Sequence, residues 1–137
     1  MTFEELADTL PNGFHDADLS AFQVDYVQRQ LTFQLEFWIG DMEVSERREV
    51  YRPAIVVVDD VNFVYVEPPR ETKEFHIGTS IRIDAGEGIP EAIQDAVQHL
   101  HDMGKVTWMF LSELNSFILF SAASASMKWT GPEENRT

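Results

Sequence analysis

Residues 31 to 39 read Leu-Thr-Phe-Gln-Leu-Glu-Phe-Trp-Ile, and every odd position is apolar. Thr32, Gln34 and Glu36 fall on the other side. A period of two predicts a strand with one buried and one solvated face. Such strands belong to antiparallel sheets more than to parallel ones, which are buried on both faces.

The surrounding chain follows suit. The segment 19–26 alternates less cleanly through Phe22, Val24 and Tyr26 and is expected to pair with 31–39 through a short connection near 27–30. Residues 50–58 predict a third strand whose core, Ala54-Ile55-Val56-Val57-Val58, is apolar on both faces and suits a central position. Pro53 cannot donate to a ladder, which places it at the strand entrance or a bulge. Further strands are expected at 63–67, 75–83, 106–111 and 117–127, with the Ala/Ser run 121–126 equally compatible with a helix.

Two segments read as helices. Thr2 and Glu5 have capping-box spacing, and Phe3, Leu6, Ala7 and Leu10 follow at helical intervals, which predicts a helix over 3–9 ended by Pro11 and Gly13. Pro90, the stripe Ala92, Ile93, Ala96, Val97 and Leu100, and Gly104 predict a main helix near 90–102. With no βαβ alternation, the class is α+β: a mostly antiparallel sheet of about seven strands, with a sandwich as the alternative arrangement. At 137 residues the chain makes one domain, 1–137, with a loose tail expected from about 131.

Charge constrains function more than motifs do. Twenty-four acids against ten bases give −14. Residues 1–46 contribute −9 and residues 83–104 contribute −5, so these two segments carry the whole surplus. Nucleic acid and anionic membrane surfaces need clustered Lys and Arg, so neither is an expected partner. No apolar run reaches the ~20 residues of a membrane span. Acids at the start, where a signal peptide has bases, and the lack of cysteine point to a cytoplasmic protein without disulfide or thiolate-metal chemistry.

Candidate chemistry is sparse. His15, Asp16 and Asp18 could form a metal site or a general base with an orienting acid, against the plainer reading of a turn that satisfies itself. His99-x-His101-Asp102 is similar to part of a metallohydrolase signature. On a helix, however, positions 99 and 101 diverge by about 200°, and histidines near a helix C-terminus suit its dipole. His99 or His101 remains a candidate only in combination with His15. Trp38 and Trp108 on outer sheet faces, and Arg52 in the one basic cluster with Arg47 and Arg48, are candidate interaction residues. No cofactor motif is present: there is no glycine-rich phosphate loop, nucleophile elbow or EF-hand.

The run Leu10-Pro11-Asn12-Gly13-Phe14-His15-Asp16-Ala17, with Leu19, Val24-Asp25-Tyr26, Tyr51-Arg52-x-Ala54 and 61–68, resembles small bacterial β-rich proteins that open on an "NGFHDA" type of turn. Some such families are grouped with immunity proteins of toxin systems. The resemblance implies a β-rich or α+β fold in a bacterial cytoplasm and carries no catalytic residue. The expectation is therefore a non-enzymatic, immunity-like binding protein whose acidic surface meets a basic protein partner and gains on-rate by steering. A small metal-dependent or ligand-binding enzyme built on His15, Asp16 and Asp18 is the alternative. A homodimer through an exposed sheet face or edge is a further possibility.

Overall fold

A computed structural model describes residues 1–68, 80–85, 107–111 and 116–137. Their elements are α1 (Phe3–Asp8), β1 (Ala17–Asp25), β2 (Gln30–Trp38), a 3-10 turn (Ser45–Arg47), β3 (Val50–Asp59), β4 (Phe63–Val66), β5 (Ser80–Ala85), β6 (Thr107–Leu111), β7 (Ser116–Ser121), β8 (Ser124–Trp129) and β9 (Glu134–Asn135). The sheet is antiparallel throughout, in the order β4-β7-β6-β5-β1-β2-β3-β8, with β9 on β3. Among the described residues α1 is the one α-helix. The helix expected near 90–102 lies outside the described residues.

The two ends of that order are joined by chain. β3 pairs β8 and β4 pairs β7. Between them, Ala123 donates to the Asp59 carbonyl and Asn62 to the Ser121 carbonyl. β3 with β4, and β7 with β8, are thus two long strands turning one corner together. The pairings then close into a ring of six: β3/β4, β2, β1, β5, β6, β7/β8. Closure leaves fewer open edges than a flat sheet would. The strand expected over 117–127 is corrected to two, because residues 122 and 123 form the corner. On the facing arm Asp60 takes φ +54°, a left-handed conformation that Asp tolerates better than most residues.

Ser20 accounts for the imperfect alternation of β1. Leu19 pairs Leu35 while Ala21 pairs Gln34, so Ser20 is an extra residue in a bulge. Ala17 and Leu19 before it, and Phe22 and Val24 after it, therefore all belong to the core side. Leu19, Phe22 and Val24 pair Leu35, Phe33 and Leu31 of β2, the residues whose alternation marks that strand.

The core is aromatic. Phe33 and Phe120 ring centres lie 5.6 Å apart, and Phe3 of α1 stacks on Phe14 at 4.6 Å and meets Phe120 edge-on at 5.3 Å. A six-residue helix is too short to stand alone. The capping box fixes its start, with Thr2 Oγ1 accepting from the Glu5 amide at 3.1 Å, and Phe3, Leu6 and Leu10 bury it against the sheet.

β3 sits between β2 and β8, the central position its apolar core suggested, with Ala54, Val56 and Val58 buried and Ile55 and Val57 half-buried. Pro53 lies inside the strand, opposite Glu36. Its carbonyl accepts from Thr130 at 3.0 Å just beyond the last β3–β8 pair, Ala54 with Trp129, so the missing N–H falls where that ladder ends.

The tail expected to be loose from about 131 is tied down. Glu134 and Asn135 pair Tyr51 and Val50, the Arg136 amide donates to the Glu49 carbonyl, and the Glu49 amide donates to Thr137 Oγ1. No helix among the described residues is long and apolar enough to cross a membrane.

Candidate functional site

Asp18 and Glu36 stand directly opposite each other on β1 and β2, on the outer face of the sheet. Like charges at paired cross-strand positions repel, so this arrangement needs a cation. Arg136 supplies it. Its guanidinium lies 3.6 Å from Asp18 Oδ2, donates to Glu36 Oε2, and reaches Glu134 Oε2 at 3.4 Å. The same group sits 4.4 Å from the centre of the Tyr51 ring, a cation–π contact. Carboxylates in the plane and a ring on the face are what a planar, delocalised cation prefers.

The four groups come from four strands. Asp18, Glu36 and Tyr51 lie on β1, β2 and β3, and Glu134 on β9. A groove of about 660 Å³ runs along this face, floored by β1 to β3 and walled on one side by Thr130, Glu134 and Arg136. Burial pushes the Asp18 carboxyl above the ordinary aspartate range; Arg136 pulls it back and Glu36 adds to the rise. Burial likewise raises the Tyr51 phenol, helped by the carboxylates of Glu49, Asp18 and Asp16. The Arg136 guanidinium is held above its usual value, chiefly by its hydrogen bond to Glu36.

The residues singled out in sequence separate here. His15 and Asp16 stay together, Nε2 to Oδ2 at 3.4 Å, in an exposed turn with side chains 71% and 53% accessible. Asp16 has φ +54°. Asp18, two residues on, belongs to β1 and turns to Arg136. Among the described residues no group of three His, Cys, Asp or Glu side chains is placed to hold a metal. His101 lies outside them. So does the Trp108 side chain, whose backbone pairs Asp84 and Leu119.

Trp38 and Arg52 are engaged internally. The Trp38 indole N–H donates to the Arg48 carbonyl at 2.6 Å, and its ring is half-buried 6.0 Å from that of His15. Arg52 stacks on Trp129 at 4.7 Å and donates to the Gly131 carbonyl at 3.0 Å. Its partners are a ring and a carbonyl, whereas Arg47 of the same cluster pairs an acid, Glu133, at 3.1 Å.

These contacts gather one end of the molecule. Asn12 Nδ2 donates to the Trp38 and Gly40 carbonyls at 3.1 and 2.9 Å, which fastens the 11–16 turn to the loop after β2. Asn135 Nδ2 donates to the Glu46 carbonyl at 2.9 Å, which fastens the C-terminal segment to the same loop. Segments 12–18, 41–49 and 131–137 together carry eight carboxylates and three arginines, a surplus of five negative charges. Residues 41–49 are all exposed.

Sequence reasoning missed Glu36, Tyr51, Glu134 and Arg136. A usable signal existed in part: once β1 and β2 are paired with a bulge at Ser20, Asp18 and Glu36 become neighbours. Nothing local announces Arg136, which meets Glu36 across 100 positions of sequence. No protein-family model, curated protein or solved structure matches the chain.

Proposed function

We propose that this protein is a non-enzymatic binding protein whose acidic end meets a basic protein partner. The observation that carries this reading is the convergence of three acidic segments at one end of the sheet, held by Asn12, Asn135 and the Arg47–Glu133 pair. A concentrated field of one sign raises the encounter rate with an oppositely charged partner and disfavours others. Asp18 pairs with Arg136 while His15 and Asp16 lie in an exposed turn, which supports the binding reading over an enzymatic one built on these three residues.

Calorimetric titration with hexalysine tests the proposal. A variant carrying Asp41→Asn, Glu43→Gln and Glu46→Gln is expected to bind about tenfold more weakly than wild type at low salt. A control losing the same charge elsewhere, through Glu4→Gln, Asp25→Asn and Asp60→Asn, is expected to stay near wild type. Equal losses in both variants would reduce the effect to net charge and sink the proposal.

A further inference from the structure

The contacts of Arg136 have the form of a recognition event carried out within one chain. Asp18 and Glu36 form a paired-carboxylate clamp on β1 and β2, whose ladder includes no tail residue, and Tyr51 of β3 adds a ring on the guanidinium's face. The clamp is unfavourable when empty, because it sets two carboxylates side by side on partly buried strands. Its present occupant arrives on a short segment. Beyond Trp129 that segment holds the sheet through the two-residue β9, the backbone bonds of Thr130 to Pro53 and of Arg136 to Glu49, the Arg52 bond to the Gly131 carbonyl, the Arg47–Glu133 pair and side-chain bonds of Thr137 and Asn135. Beside the clamp, β9 covers the edge of β3 at Val50 and Tyr51 in the way an added peptide strand would.

We propose that Asp18, Glu36 and Tyr51 form a receptor for an arginine side chain of the basic partner, and that Arg136 occupies it in cis as an autoinhibitory self-ligand. The partner's arginine then displaces Arg136 from the clamp, and the backbone beside that arginine takes the β3 edge that β9 vacates. This inference rests on the reading of the protein as a binder of basic partners and adds the chemistry of its anchor. The planar fork of arginine satisfies two adjacent carboxylates and stacks on a ring, whereas a lysine ammonium is a point charge. The site is therefore specific for arginine.

The full-length Arg136→Ala variant tests this, with blocked Ala-Arg-Ala and Ala-Lys-Ala tripeptides as probes and amide shifts as the readout. Arg136→Ala is expected to bind the arginine peptide at least about tenfold more tightly than wild type, with shifts at residues 18, 36 and 51. The lysine peptide should bind several-fold more weakly. Adding Asp18→Asn and Glu36→Gln to Arg136→Ala should abolish the gain. Arg136→Lys, which keeps the charge, should fall between the two and guards against a folding artefact of the alanine change.

Equal affinity of wild type and Arg136→Ala, or shifts away from the clamp, would overturn the self-ligand. That failure is distinguishable from failure of the acidic-end reading. Hexalysine binding at 41–49 with no gain in Arg136→Ala removes only the clamp. A gain in Arg136→Ala alongside hexalysine binding indifferent to the 41–49 charges removes only the acidic end.

Discussion

Asp18 and Glu36 face each other across the β1–β2 ladder, two carboxylates in direct register, and one guanidinium from the far end of the chain serves both. The pair makes a poor stability device, because burial and the neighbouring Glu36 raise the cost of ionising Asp18. It makes a good receptor, because the cost is recovered only when a fitting cation is present. Several consequences of this arrangement and of the fold around it can be measured.

The first concerns pH. Burial raises the folded-state pKa of Asp18 above its ordinary value of 3.8. Between those two values the folded chain binds more protons than the unfolded one, so stability falls as pH rises through that window. At neutral pH the charged Asp18 therefore subtracts from stability. Asp18→Asn is expected to melt above wild type at pH 7, and the difference should vanish as pH falls below the ordinary aspartate range. Thermal melts across pH check this; a variant less stable than wild type at pH 7 would show that Asp18 is a net stabiliser through Arg136.

A second prediction concerns the tail. Exposed and half-exposed ion pairs are worth about 0–1 kcal/mol each. Arg136→Ala removes three such pairs and should therefore lower global stability by about 1–3 kcal/mol. Locally the effect should be larger. The amides of Arg136 and Glu49 are hydrogen-bonded across the β3–β9 edge, and their hydrogen exchange should accelerate towards that of open chain in the variant. Unchanged protection would mean that the backbone bonds hold β9 without the clamp.

A third concerns the turn that organises the acidic end. Asn12→Ala leaves the Trp38 and Gly40 carbonyls without their side-chain donor, and a destabilisation of about 1–2 kcal/mol is expected in chemical denaturation. Gly40→Ala should be worse. A Cβ at Gly40 would come within 2.6 Å of both the Arg48 carbonyl oxygen and the Trp38 indole nitrogen, and neither can retreat without breaking the bond between them.

A fourth concerns the core. Phe33 is fully buried between Phe22 and Phe120. Phe33→Ala is expected to cost about 3–5 kcal/mol, read as a fall in the denaturation midpoint. A smaller loss would mean that α1 collapses into the cavity.

The strands were legible where one face is buried and the register is unbroken. Leu31, Phe33, Leu35 and Phe37 announce β2 because burial selects alternate positions, and the Thr2–Glu5 box announces α1 because capping is local. Legibility failed where structure depends on a single inserted residue or on distant partners. Ser20 hides the phase of β1. Small residues at 121–126 conceal a corner, since Ala and Ser pattern neither face. The segment 133–136 reads as a loose end because its partners, Arg47 for Glu133, Tyr51 for Glu134 and Glu36 for Arg136, lie 80 or more positions away. Asp18 and His15 read as one cluster because they are close in sequence. The left-handed Asp16 and the entry into β1 send the two side chains to different surroundings.

The most direct test of the central claim is to map where a cationic peptide touches the unmodified protein. Amide shifts are followed while hexa-arginine is added at low salt. The largest shifts are expected to cluster in 12–18, 36, 41–51 and 131–137, the 131–137 amides to move towards open-chain values, and both effects to fade as salt screens the charges. Shifts spread evenly over the molecule, including the 25–30 turn and the 59–62 corner, would contradict the claim.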